Sequence, residues 1–156
     1  MKNLETQPDY EEMCAALNDA GVEFLVVGAH ALAAHGHVRA TKDLDIWVRP
    51  SLDNAARVMQ ALHAFGAPTQ RVSVDDFAVP DIVYQIGVNP VRIDILTVVS
   101  GLDFENAWTR RVPSRYAGQP VFVLSMEDLI VNKRASGRPQ DLADVAALEQ
   151  MKSLSD

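Results

Sequence analysis

Cysteine is almost absent from this chain. Cys14 stands alone, so no disulfide can close within it, and a cysteine-rich zinc cluster is excluded. No run of 18 apolar residues occurs, which leaves no stretch long enough for a membrane-spanning helix. Positive charge is also scarce: 14 Lys and Arg stand against 21 Asp and Glu, a net charge of −7. That balance argues against a protein that coats nucleic acid, which needs a broad basic face. It leaves room for an enzyme that handles phosphates in one local basic pocket. The opening residues MKNLETQPDYEE lack the apolar core of a secretory signal, so the expected compartment is the cytoplasm. No internal repeat, low-complexity tract or linker is visible.

The 156 residues suggest one domain, long enough to bury roughly 70% of the unfolded surface without covalent staples. Turn and cap signals divide the chain into alternating elements. A helix over 8–20 starts near Pro8 and stops at Gly21. A strand at 23–27 leads into an Ala-rich helix at 28–35, and a second strand covers 43–49. Ser51 caps a helix over 52–65 that ends at Gly66. Strands at 82–87 and 91–98 flank VNP as a hairpin, and a short helix covers 103–110. Two strands near 112–116 and 120–124 precede a C-terminal helical pair at 126–135 and 139–151, split at Gly137 and Pro139. This order predicts an α/β or α+β fold, a mixed sheet of about four to six strands with helices packed on it.

The residues 40–48, ATKDLDIWV, hold an anomaly. Strand side chains alternate faces, so Asp43 and Asp45 point the same way while Leu44 and Ile46 point into the core. Two carboxylates about 7 Å apart along a strand repel unless something positive sits between them. Oxygen-only ligands favour Mg²⁺ or Mn²⁺ over zinc. Asp94, between Ile93 and Ile95 in VRIDILT, is a third candidate: if its strand lies beside 43–49, all three aspartates converge on one face. Three carboxylates can hold two metals that activate a hydroxyl and stabilise a leaving pyrophosphate. The plainer alternative is that Asp43 starts a strand and the other two face solvent.

Upstream, Gly28-Ala29 sits at a strand-to-helix junction, where a small residue lets a phosphate approach backbone N–H groups and the positive end of a helix. Tight packing explains many such glycines equally well. The combination says more. Val27-Gly28-Ala29, then Asp43-Leu44-Asp45-Ile46, then Ile93-Asp94-Ile95 resembles the nucleotidyltransferase superfamily, the fold of DNA polymerase beta and kanamycin nucleotidyltransferase. That family usually carries Gly or Ser where this chain has Ala29. HGHVRATKDLDIWV together with LSMEDLIVNKRASGRPQDLADVAAL is similar to the small bacterial group that includes AbiEii-type toxins and related minimal enzymes, a likeness over roughly residues 20–150.

The second of those stretches spaces Lys133, Arg138, Asp141 and Asp144 as K-x4-R-x2-D-x2-D. Ser125 and Asp128 read as a capping box. Lys133, Arg134 and Arg138 make the densest basic patch in the chain, and a lysine point charge beside an arginine fork suits a triphosphate. Equally, Lys133 and Arg134 complement a helix C-terminus while Arg138 pairs with Asp141 or Asp144. Arg39, just ahead of the aspartates with Thr41, is a further phosphate candidate. Arg110, Arg111 and Arg115 form either an acceptor-binding segment or a solvated strand edge. His30, His35 and His37 fit no zinc spacing.

The resemblance implies a minimal Mg²⁺-dependent nucleotidyltransferase. Asp43 and Asp45 would bind metal, Asp94 would hold a second metal and act as base, Gly28 and Ala29 would cradle phosphates, and Lys133, Arg39 and Arg138 would neutralise a nucleoside triphosphate. The acceptor would be transfer RNA, protein or a small molecule, in the setting of a toxin, an antitoxin that modifies a partner protein, or an antibiotic-modifying enzyme. The lack of a long C-terminal helical domain lowers the last of these. A catalytically weak nucleotide- or partner-binding module with the same fold is the alternative, with Ala29 as the feature in its favour.

Overall fold

The computed structural model describes residues 8–38, 43–88 and 91–155. In chain order the elements are α1 (Pro8–Asp19), β1 (Phe24–Val27), α2 (Gly28–Ala34), β2 (Asp43–Val48), α3 (Leu52–Phe65), α4 (Val74–Phe77), β3 (Val83–Val88), β4 (Val91–Leu96), α5 (Phe104–Thr109), β5 (Val112–Tyr116), β6 (Gln119–Val123), α6 (Met126–Ser136) and α7 (Pro139–Ser155). The strands form one mixed sheet in the order β3-β4-β2-β1-β6-β5. β1 runs antiparallel to β2 and parallel to β6, β4 is parallel to β2 and antiparallel to β3, and β5 and β6 form an antiparallel hairpin.

The two central strands are apolar because both faces are covered. All four residues of β1 are buried, as are Leu44, Ile46, Trp47 and Val48 of β2. α3 buries Ala55, Val58, Ala61 and Leu62, spaced as one helical stripe. Ser51 Oγ accepts the Asn54 N–H at 3.3 Å and caps this helix as the sequence indicates. Asn54 itself is buried. Its side chain accepts from the Glu23 N–H and donates to the carbonyls of Glu23 and Arg49, pinning the start of β1 to the end of β2. At that end Trp47 meets Phe104 edge-to-face at 5.1 Å, and Phe104 stacks on Trp108.

Three local features depart from the sequence reading. The single turn α4 was not foreseen; it is too short to show a period, yet it buries Phe77 completely and is held by the Ser73 N–H donating to Asp76 Oδ2 at 2.9 Å. β4 stops at Leu96 rather than 98, because Thr97 Oγ1 accepts the Asp81 and Ile82 N–H groups at 3.0 and 2.8 Å. At α6 only half of the expected capping box forms. Ser125 Oγ accepts the Asp128 N–H, but the Asp128 carboxylate turns to the Arg110 guanidinium at 3.0–3.2 Å, a stronger, charge-assisted partner. Asn89 and Pro90 of the expected turn lie outside the described residues; the strands on either side pair as a hairpin would, with Val88 opposite Val91.

Candidate active site

Sheet register brings the three aspartates together. In the parallel pair β2–β4, Asp45 stands opposite Asp94 and Asp43 opposite Arg92. On the other side of β2, Val27 of β1 stands opposite Asp45, so the chain leaves β1 beside the same carboxylate. The turn into α2 then needs Gly28 for two reasons. Its φ is +69°, and a Cβ built there would lie 2.5 Å from Asp45 Oδ2. Gly28 and Ala29 therefore form one wall of a cavity of about 420 Å³ whose other walls include Asp43, Asp45, Asp94 and Arg92 from the sheet and Lys133, Arg138 and Gln140 from the helical pair. Replacing Gly28 by Ala should cost about 1–2 kcal/mol for the left-handed backbone and, in addition, displace Asp45. A urea titration of Gly28→Ala that matches the parent protein would show that the turn relaxes freely.

The carboxylates are electrostatically crowded. Asp94 is buried, only 6% exposed. Burial raises the Asp45 pKa to about 6, helped by the charges of Asp94 and Asp43 and by a hydrogen bond to Asp94. Arg92 lies among them. Its Nη2 donates to Asp43 Oδ2 at 2.9 Å and to Asp94 Oδ2 at 3.1 Å, and its Nε donates to Asp94 Oδ1 at 3.2 Å. The donor set is oxygen-only and suits a hard divalent cation. Among the described residues, no three carboxylate, imidazole or thiolate groups are gathered into a ready-made metal cage.

The opposite wall is an ionic lattice between α6 and α7. Lys133 is 5% exposed, its Nζ 3.5 Å from both Asp141 Oδ1 and Asp144 Oδ2, and both aspartates are buried. Arg138 forks onto Asp141, Nε to Oδ2 at 2.7 Å and Nη2 to Oδ1 at 3.2 Å, which lowers the Asp141 pKa, with Lys133 adding to the effect. Gln140 Nε2 donates to Asp144 Oδ1 at 3.2 Å, and His37 Nε2 stands 3.3 Å from the same oxygen. Lys133 lies in the last turn of α6, and its ammonium is held between these two aspartates. Arg138 has the ion pair expected of its spacing and still presents a mostly exposed guanidinium to the cavity.

Of the residues singled out in the sequence, Gly28, Ala29, Asp43, Asp45, Asp94, Lys133 and Arg138 share this cavity. Arg39 and Thr41 lie outside the described residues. Arg110, Arg111 and Arg115 do not line it. Arg110 is bound to Asp128, Arg111 stacks over Trp108 and Phe122 at 4.0 and 4.6 Å, and Arg115 donates to the Gly118 carbonyl at the β5–β6 turn. They do not form an acceptor-binding segment of this cavity; Arg115 is exposed on β5, the edge strand of the sheet, as a solvated strand edge would be. His30 packs edge-on between Tyr10 and Tyr116, and His35 Nε2 contacts the Leu124 carbonyl at 2.7 Å. Sequence reasoning passed over Arg92 and Gln140. The signal for Arg92 was its i−2 spacing from Asp94, which puts both on one face of β4. A second cavity of about 500 Å³ opens at the other end of β2 near Trp47 and Phe104, but its arginine, Arg49, is already taken by Glu23 and Glu105.

Nucleotidyltransferases are among the solved structures similar to this architecture. The lincosamide antibiotic adenylyltransferase LnuA, solved with lincomycin, superposes with a TM-score of 0.60 at 13% identity, over 96% of this chain and 99% of that one. A Thermotoga maritima protein assigned to the nucleotidyltransferases gives 0.59 at 14% identity, over 95% and 93%. The antibiotic-resistance factor ANT(2'')-Ia, in complex with adenylyl-2''-tobramycin, gives 0.58 at 14% identity, over 93% and 91%. At these identities the likeness establishes the fold, which is that of the nucleotidyltransferases. In sequence, residues 9–155 match the profile of the family described as nucleotidyltransferase of unknown function (DUF6036), and the chain belongs to that family. No curated protein matches it in sequence. Among the described residues no helix is long and apolar enough to cross a membrane.

Proposed function

We propose that this chain moves a nucleoside monophosphate from a nucleoside triphosphate to a hydroxyl acceptor, using a divalent cation held by Asp43, Asp45 and Asp94. The observation that carries the reading is the Asp45–Asp94 pair, set opposite each other across β2 and β4 and pressed against the Gly28 turn. Two strand carboxylates crowded enough to lift one pKa to about 6 are unfavourable in a metal-free fold. The presence of a guanidinium between Asp43 and Asp94 supports the fit of a cation there. A bound Mg²⁺ or Mn²⁺ would supply charge neutralisation to the triphosphate and acidify the acceptor hydroxyl.

The chain's own groups do the rest. Gly28 lets the triphosphate approach the α2 backbone closely. Lys133 and Arg138 face it from the far wall and balance charge on the leaving pyrophosphate. The acceptor oxygen bonds to the α-phosphorus as the bond from that phosphorus to the bridging oxygen breaks, and Asp94 takes the hydroxyl proton. Positioning and electrostatics supply most of the acceleration, as in other phosphoryl transfers.

A small-molecule hydroxyl is the acceptor class with the most support, since LnuA and ANT(2'')-Ia act on antibiotics. A long C-terminal helical domain is not needed for such a role, because this chain aligns with 99% of the lincosamide enzyme. Transfer RNA or a protein in a toxin–antitoxin pair, as the AbiEii-type resemblance implies, is the second acceptor class. The cytoplasm would supply both triphosphate and magnesium. Thermal shift against ATP, GTP, CTP and UTP, with and without Mg²⁺ or Mn²⁺, tests the donor half. A ligand at about 100 times its dissociation constant should add roughly 2.7 kcal/mol of stability. A metal-dependent rise is expected for at least one nucleotide; flat melting curves in every combination would favour a binding module with the same fold.

A further inference from the structure

We infer that Arg92 is an internal stand-in for the divalent cation, seated between the carboxylates and expelled when metal and triphosphate enter together. The inference rests on the metal reading above and deepens it. One nitrogen of Arg92, Nη2, contacts carboxylate oxygens from two neighbouring strands, Asp43 Oδ2 at 2.9 Å and Asp94 Oδ2 at 3.1 Å, while Nε holds the other oxygen of Asp94. Asp43 and Asp94 are also carboxylates that would hold a hard cation at this site. A guanidinium and a divalent ion cannot share that seat: they repel each other and compete for the same lone pairs. Arg92 is placed for this by register. It stands opposite Asp43 on β2 and two residues before Asp94 on its own strand, and its neighbour across β3 is Gly87, which offers no side chain to hold it elsewhere.

Expulsion needs a new anion for the guanidinium. Arg92 lines the cavity that Lys133 and Arg138 share, and a triphosphate there would meet all three. Free metal must therefore displace Arg92 without compensation, whereas metal with triphosphate gives it a partner. The consequence is a positive coupling between the two ligands, reciprocal by linkage, that runs through one side chain. A site built this way stays closed to stray cations and charges only with its nucleotide.

The test is Mn²⁺ binding by titration calorimetry and electron paramagnetic resonance, with the parent protein, Arg92→Lys and Arg92→Gln, each with and without α,β-methylene-ATP. Arg92→Gln should bind free Mn²⁺ at least about tenfold more tightly, equivalent to about 1.4 kcal/mol. Arg92→Lys, which keeps the charge but loses the fork, should also bind several-fold more tightly. In both variants the gain in Mn²⁺ affinity caused by the analogue should shrink. Tightening in Arg92→Gln alone would mean a through-space charge effect and would overturn the stand-in, as would unchanged affinity in both. Asp94→Asn separates the two readings. If it weakens Mn²⁺ binding while the Arg92 variants leave it unchanged, the metal site stands and the stand-in falls. If Asp94→Asn has no effect, the metal is elsewhere and both fall. Should Arg92→Gln fail to fold, Arg92→Lys alone decides, because loss of the fork is the property at issue.

Discussion

Asp45→Asn should remove nucleotidyl transfer and at the same time make the metal-free protein more stable. The two effects have one cause. Asp45 ionises at about 6 in the folded chain, against 3.8 for an ordinary aspartate, because burial and the charges of Asp94 and Asp43 disfavour its anion. An acid whose folded pKa is raised binds its proton more tightly in the native state than in the unfolded one. Its contribution is therefore fully favourable below pH 3.8 and is lost as pH rises through the folded value, so this group lowers stability steadily between pH 4 and pH 6 and by a constant amount above that. The gap corresponds to about 3 kcal/mol. Asn has the same shape and no charge, and Arg92 makes no hydrogen bond to Asp45 that would be lost. Urea unfolding of the metal-free protein at pH 7.5 should show Asp45→Asn more stable by about 2–3 kcal/mol. The difference should vanish near pH 4. Transfer should fall by about a thousandfold or more, the scale expected when a principal electrostatic group is removed. A variant that is inactive and also destabilised at neutral pH would mean that Asp45 serves packing, not a charge.

Gain of stability with loss of activity is the signature of a site kept under strain for its chemistry. It also explains what was legible in the sequence. Asp45 and Asp94 stand out because each sits between Leu or Ile residues, where a folding-only sequence would place an apolar residue, and Asp43 because it shares the face of Asp45 at the start of the same strand. Strand alternation gave their faces. It did not give the parallel pairing of β2 with β4, which sets Asp45 opposite Asp94, since register between strands so far apart in the chain is a tertiary property. Gly28 was legible as a junction glycine, whereas the 2.5 Å approach of Asp45 to its missing Cβ was not. Arg92 escaped notice because an arginine at a strand start is unremarkable until Asp43 is known to lie beside it. The basic patch at 133–138 is legible as a cluster, but the burial of Lys133 between two aspartates that lie 8 and 11 residues further on, brought back by the turn at Gly137, is a tertiary property.

That burial makes Lys133 the second residue with a large expected effect. Lys133→Met keeps the length and apolar stem of the side chain and removes only the ammonium. Asp141 retains Arg138, and Asp144 retains Gln140 and His37, so neither carboxylate is left bare. Breaking a buried ion pair from one side typically costs 3–5 kcal/mol, and these remaining partners put the expected loss at about 3 kcal/mol. Lys133→Met with Asp144→Asn should recover part of that loss, because the second change removes a carboxylate that the first had deprived of its cation. Nucleotide binding should not recover with it. The Nζ contacts at 3.5 Å are long for charge-assisted bonds, which leaves the ammonium free to favour an incoming phosphate over Asp141 and Asp144. Measured below the unfolding range, triphosphate affinity should drop about tenfold or more in both the single and the double variant, while monophosphate affinity changes little. Equal losses for the two nucleotides would take Lys133 away from the β- and γ-phosphates. Full recovery of triphosphate affinity in the double variant would make Lys133 a structural counter-ion of α7 and nothing more.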